Sequence, residues 1–249
     1  MRYFRLELDR FLRFVVIVGA RRLLIVGCLA IGLLAGCESG ADGRIARAYS
    51  LARHPSEANK NRIEALLRDK DRDVRATALV AMGGIDKGRA RRMALASLAD
   101  PDGLVRAAAV DLCGEGADAE TIRLLSAQAT SDPVWHVRAR SLQAIAASEE
   151  PAVRDAFVRA LSDPVRHVRW AALKAGAGRP GLLPIDLLSK LAVSDTDWEN
   201  RVEAVVALGA SKDPAAYAGL DAAAADPNEF VRTTAARERR ELERSGISP

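Results

Sequence analysis

From about residue 45 onward, apolar side chains recur every three to four residues. That spacing marks one-sided helices, and no run alternates with the period of two that a half-buried strand needs. The helical stretches come in pairs. Leu66-Leu67, Leu95 with Leu98, Leu124-Leu125, Phe157 with Leu161, and Leu187-Leu188 with Leu191 mark the first helix of successive pairs. An Asp precedes the second helix: Asp69, Asp100, Asp132, Asp163, Asp195 and Asp226, at intervals of 31 or 32 residues. Apolar or small residues recur at offsets 5, 9, 10 and 13 from the Asp, apart from Asn200 at offset 5 and Arg239 at offset 13. At offset 6 stands an Arg: Arg75, Arg106, Arg138, Arg169, Arg201 and Arg232. Pro comes directly after four of the Asp residues (Pro101, Pro133, Pro164, Pro227), so Asp as N-cap and Pro at the first helical position predict where the second helix starts. Gly83, Gly114 and Gly209 predict where it stops.

A single helix pair of this kind cannot bury its apolar stripe, but stacked neighbours can. The predicted fold is all-α, an α-solenoid of about six helix pairs over residues 44–245. Ile45 to Arg53 predicts an unpaired helix closing the front, and the polar run Arg237-Glu238-Arg239-Arg240-Glu241 predicts a capping unit at the back. "DRDVRATALVAMG" (Asp71 to Gly83) and "NRVEAVVALG" (Asn200 to Gly209) resemble the HEAT repeat in a short form, like that of phycobilisome-lyase-type repeats. The resemblance covers roughly residues 56–245. It implies a right-handed superhelix in which the repeated Asp and Arg side chains form a structural ladder between units, with no catalytic part.

The first 36 residues read differently. Phe14 to Ala20 and Leu23 to Gly36 are apolar, parted by Arg21-Arg22, and the second run of fourteen is short of the roughly 20 residues of a bilayer span. Leu34-Ala35-Gly36-Cys37 resembles a bacterial lipobox. That implies a signal peptide over 1–36, diacylglycerol and palmitate on Cys37, and a lipidated tether over 37–43. The alternative is one apolar helix from Phe14 to Gly36 retained as an anchor, which would put Arg21-Arg22 in the bilayer at a cost of several kcal/mol. Glu38 is not the Asp of an inner-membrane retention signal, so the expected location is the outer membrane, facing the periplasm. Residues 246–249 read as a tail.

Charge shifts with that boundary. The whole chain has a formal net charge of +4. Residues 1–36 hold six basic and two acidic side chains, which leaves 31 of each sign in the remainder. A neutral remainder gives no footing for nucleic-acid binding. Of three cysteines only Cys113 falls in the repeats, on an apolar face, so no disulfide framework or thiolate metal site is expected.

Function in a repeat lies at positions that vary between units. Offsets 3, 4 and 7 hold Trp135, His136, Arg166, His167, Trp170 and Trp198, and Arg140 lies beside them. Thus "SDPVWHVRARS" (Ser131 to Ser141) and "SDPVRHVRWAA" (Ser162 to Ala172) share Asp, Pro, Val and Arg as repeat framework and differ in their aromatic and cationic residues. These seven side chains form a candidate band for a protein or peptide partner, since Trp and Arg are favoured at interface hot spots. Packing between units is the competing reading. His136 and His167 lack a third ligand at sensible spacing, Glu199 being the carboxylate expected near them, and no metal or cofactor is expected. No nucleophile elbow, phosphate loop or zinc motif occurs. The expected role is a non-catalytic, lipid-anchored scaffold. The alternatives are a bilin lyase-like enzyme or subunit on the same repeats, and a purely structural envelope spacer.

Overall fold

The computed structural model describes residues 40–179 and 181–249; the proposed signal peptide, Cys37 and Glu38 lie outside them. All regular structure among the described residues is helical. None of these helices is long and apolar enough to cross a membrane. The chain divides after Ala81 into two compact units.

The first unit contains α1 (Ala41–Arg53), α2 (Glu57–Ala65) with a 3-10 turn at Leu66–Arg68, and most of α3 (Arg72–Gly83). Helix α1 packs on α2. It starts at Ala41, so residues 41–43 are helical where the sequence suggested tether; Asp42 in its first turn favours helix there through the helix dipole. Arg44 of α1 grips Asp69 through Nε and Nη2 at 2.6 and 3.0 Å.

The second unit contains five helix pairs. The first helices are α4 (Lys87–Ser97), α6 (Ala119–Ser131), α8 (Pro151–Ala160), α10 (Ile185–Ser194) and α12 (Ala216–Ala223). The second helices are α5 (Gly103–Gly114), α7 (Trp135–Ile145), α9 (Arg166–Gly176), α11 (Trp198–Ser211) and α13 (Glu229–Arg244). Each first helix packs on its own second helix, and the second helices pack in succession from α5 to α13. The fold is an all-α solenoid, as the period predicts.

Its core follows the offsets. Val74, Val105, Val137, Val168 and Val231 at offset 5 are fully buried, as are Leu79, Val110, Leu142, Leu173 and Val205 at offset 10. Met82, Cys113, Ile145 and Leu208 fill offset 13. Burying each large aliphatic side chain contributes about 1.5–3 kcal/mol. Phe157 on α8 is the largest fully buried side chain.

Two local expectations are corrected. Second helices start at offset 3, not directly after the Asp. The Asp side chain instead accepts the N–H two residues on: Asp132 from Val134, Asp163 from Val165, Asp195 from Asp197, each at 2.8–2.9 Å. This closes an Asx turn ahead of the helix. The N-cap is the residue at offset 2, and where that residue is polar (Asp102, Asp197, Asn228) its side chain caps the first turn. The glycine stop signals hold at two positions, where α3 ends at Gly83 and α5 at Gly114, and fail at Gly209. Helix α11 runs past Gly209 to Ser211 and ends at Lys212, whose φ of 53° is left-handed. All three are also needed for packing: a Cβ on Gly83 would fall 2.7 Å from Leu112, one on Gly114 would fall 2.8 Å from Ala144, and one on Gly209 would collide with Glu238. Each of those glycines clears room for the next second helix.

The ladder spans adjacent pairs. Arg106 holds Asp132 by two bonds at 2.7 and 2.8 Å. Arg138 holds Asp163, Arg169 holds Asp195 and Arg201 holds Asp226 in the same bidentate way, at 2.7–3.0 Å. The remaining nitrogen, Nη1, donates to the backbone carbonyl of the arginine's own index Asp: Asp100, Asp132, Asp163 and Asp195, at 2.7–2.8 Å. Arg75 and Arg232 make the same backbone bond, to Asp69 and Asp226. One side chain thus pins its own turn and the next unit. Asn200, in place of the usual Val at offset 5, is buried and donates to the Arg166 carbonyl and to Asp195.

Candidate functional site

Helix starts place the candidate band. Trp135, Arg166 and Trp198 are the first residues of α7, α9 and α11, and His136 and His167 are second in α7 and α9. They therefore stand on the turn edge of the second-helix layer, while Trp170 lies one turn along α9. A side chain at offset 3 meets the one at offset 4 of the following pair. Trp135 stacks on His167 with centroids 4.8 Å apart, and Trp198 stacks on Phe230 at 5.6 Å. Between them, Arg166 lies 3.8 Å from Glu199. The histidines come together through Trp135, whose ring also meets His136 edge-on at 5.7 Å.

This second line of contacts changes the electrostatics expected of the band. Its cations are already countered. Arg166 bonds Asp197 at 2.5 Å, Arg140 bonds Asp111 at 2.5 Å, and Lys174 lies 3.3 Å from Glu203. Glu199 turns to Arg166 rather than to the histidines. No group of three metal-ligating side chains occurs among the described residues. The band is aromatic more than cationic. Burial lowers the pKa of His136, the Arg140 charge lowers it further, and its Nε2 is buried with no hydrogen-bond partner among the described residues.

What is left to solvent is ring surface. Trp135 is 40% exposed, Trp170 and Trp198 37% each, and Phe230 66%. Phe230 was visible at offset 4 in the sequence, but only its stacking on Trp198 makes it part of the band. Ala139 and Val202 occupy the positions of Trp170 on the adjacent helices α7 and α11, so its ring stands beside smaller side chains.

The index side chains are structural. At Asp69, Asp195 and Asp226, burial pushes the carboxyl pKa up, but the arginine bond and the N–H two residues on outweigh it and hold the group below the ordinary carboxylate range. The Asp132 and Asp195 carboxylates raise Arg106 and Arg169 in turn. Burial pushes the Cys113 thiol up to about 11, which leaves it a small core hydrophobe and not a nucleophile. Two cavities lie elsewhere. One of about 320 Å³ is lined by Arg154, Arg179, Leu183, Leu188 and Asp213, among others. The other, about 310 Å³, lies between α6 and α8. Neither includes a band residue.

Residues 59–146 and 176–238 match the family model described as HEAT repeats. Among solved structures, the chain is similar to YibA of Escherichia coli, with 19% identity, a TM-score of 0.57, and 86% of this chain and 80% of that one covered. An engineered protein follows at 19% identity and a TM-score of 0.52, covering 76% of this chain and 98% of that one. The complex of CpcE and CpcF of phycocyanin lyase from Nostoc aligns at 24% identity with a TM-score of 0.42, over 83% and 85% of the two chains. The likenesses to YibA and to the engineered protein speak to the fold alone. No curated protein sequence matches.

Proposed function

The chain belongs to the HEAT-repeat family, and on that premise we propose that it is a non-catalytic scaffold. In this reading it is held at a bacterial membrane by lipid on Cys37 and binds a protein or peptide along its aromatic band. The exposed rings carry the reading: all three tryptophans of the chain stand in consecutive helix pairs and keep more than a third of their surface in water. Rings clustered in this way on one edge mark interaction surfaces, and Trp is a frequent hot-spot residue. Stacking on His167 and Phe230 holds two of the rings rigid, so a partner would meet surface that is already ordered.

The lipid rests on Leu34-Ala35-Gly36-Cys37. At about 3.6 Å per residue, the four steps from Cys37 to Ala41 keep the start of α1 within about 15 Å of the anchor. Glu38 favours the outer membrane, facing the periplasm. In cells, Cys37→Ser is expected to leave the precursor uncut and without incorporated labelled palmitate; a processed, membrane-bound variant would refute the anchor.

The band has a separate test. Trp135→Ala, Trp170→Ala and Trp198→Ala combined should abolish recovery of the partner that co-purifies with the wild-type protein from native membranes, with helical circular dichroism unchanged. Undiminished recovery would place recognition elsewhere. Tight, coloured binding of a bilin to the purified protein would favour the lyase-like reading instead.

A further inference from the structure

We propose that Arg232 is a preformed carboxylate socket at the C-terminal end of the second unit, shaped for an aspartate that begins a helix on a partner protein. The chain shows the filled form four times. In Arg106, Arg138, Arg169 and Arg201, Nη1 is pinned to backbone carbonyls while Nε and Nη2 grip the next carboxylate. Arg232 has the same anchor: its Nη1 donates to the carbonyls of Asp226 and Pro227 at 2.7 and 2.9 Å, against 2.8 and 3.1 Å for Arg106 on Asp100 and Pro101. Residues 227–249 contain no Asp. Among the described residues, no carboxylate meets the Arg232 Nε and Nη2 pair.

The carboxylate such a fork takes is specified by the filled copies. In each, the gripped Asp also accepts the N–H two residues on and so starts a helix: Asp132 from Val134, Asp163 from Val165, Asp195 from Asp197, Asp226 from Asn228. A second cation points to the same occupant. Offset 14, which Gly114 and Gly209 keep clear for the next second helix, is Arg240 in the last pair. Arg240 is exposed and, among the described residues, without a carboxylate partner. It lies about 12 Å along α13 from Arg232, at 1.5 Å per residue. Arg237, Arg239 and Arg244 are paired with Glu238, Asp221 and Glu241. The end therefore offers two unpaired cations at the register where a neighbouring helix pair would dock. An acidic helix start fits both, and a further apolar repeat does not. This inference is independent of the aromatic band.

The test follows the Arg232 Nε–H resonance in the 15N-labelled full chain in detergent. The probes are an acetylated, amidated peptide copying residues 225–236, the same peptide with Asp226→Asn, and acetate. The Asp peptide should shift the resonance saturably. The Asn peptide should bind about 10-fold or more weakly, as loss of a charge-assisted bond implies. Arg232→Lys, which keeps the charge but not the fork, should bind a fluorescently labelled Asp peptide about 10-fold or more weakly than the wild-type chain, read by anisotropy, with helical content intact. Equal shifts from the Asp and Asn peptides, saturation by acetate at the same concentration as the Asp peptide, or no shift at all would each overturn the proposal.

Discussion

Ser141 stands at offset 9, where the other five second helices have Ala. It is fully buried, and its hydroxyl finds no partner among the described residues. A buried hydroxyl without a bond costs on the order of 1 kcal/mol or more. Ser141→Ala should therefore raise the unfolding free energy by about 1 kcal/mol, read from urea denaturation at constant m. His136 sets a pH dependence at the same scale. Its folded pKa lies below the ordinary 6.5, so below that pH the unfolded chain binds more protons. Its contribution is complete above pH 6.5 and is lost as pH falls toward the folded value. The urea midpoint should drop between neutral pH and pH 5, and His136→Gln should flatten that drop. The carboxylates Asp69, Asp195 and Asp226 act in a separate, lower window. Their stabilisation is present above the ordinary 3.8 and fades as pH falls through their depressed values.

At the scale of helices and turns, the Asp–Arg ladder joins one pair to the next. The Asp195 side chain is wholly shielded and takes bonds from Arg169, Asn200 and the Asp197 N–H. Removing one partner of such a buried pair strands the other, so Asp195→Ala should cost about 3–5 kcal/mol in equilibrium unfolding. Much of this level was legible in the sequence. The 31-residue period names the Asp, the Arg and the apolar offsets, because each unit repeats one local pattern. The helix start was misplaced by two residues, because an Asp followed by Pro reads equally as an N-cap or as an Asx turn ahead of one. Gly83 and Gly114 do end their helices and Gly209 does not, but the packing role of all three escaped the sequence for a different reason. Gly114 is needed for the approach of Ala144, thirty residues on, and no local pattern displays that distance. Arg44 went unnoticed as the partner of Asp69 because it sits outside the repeat, on the closing helix.

For the whole molecule, the sequence picked out the band by subtracting what repeats, and the fold altered its character. Adjacency in space paired Arg140 and Arg166 with carboxylates from neighbouring helices, which the linear pattern could not show. The same adjacency added Phe230 through Trp198. What stays exposed is aromatic and belongs to one edge of the second-helix layer. The most direct measurement of a recognition role is site-specific photo-cross-linking in native membranes. The cross-linker replaces Trp170 on α9 in one variant and Leu124 in another, since Leu124 is an exposed apolar residue on the first helix α6. A single discrete adduct from position 170 and none from position 124 is the predicted result. An adduct from position 124 with none from position 170 would contradict the assignment of the aromatic band as the binding surface.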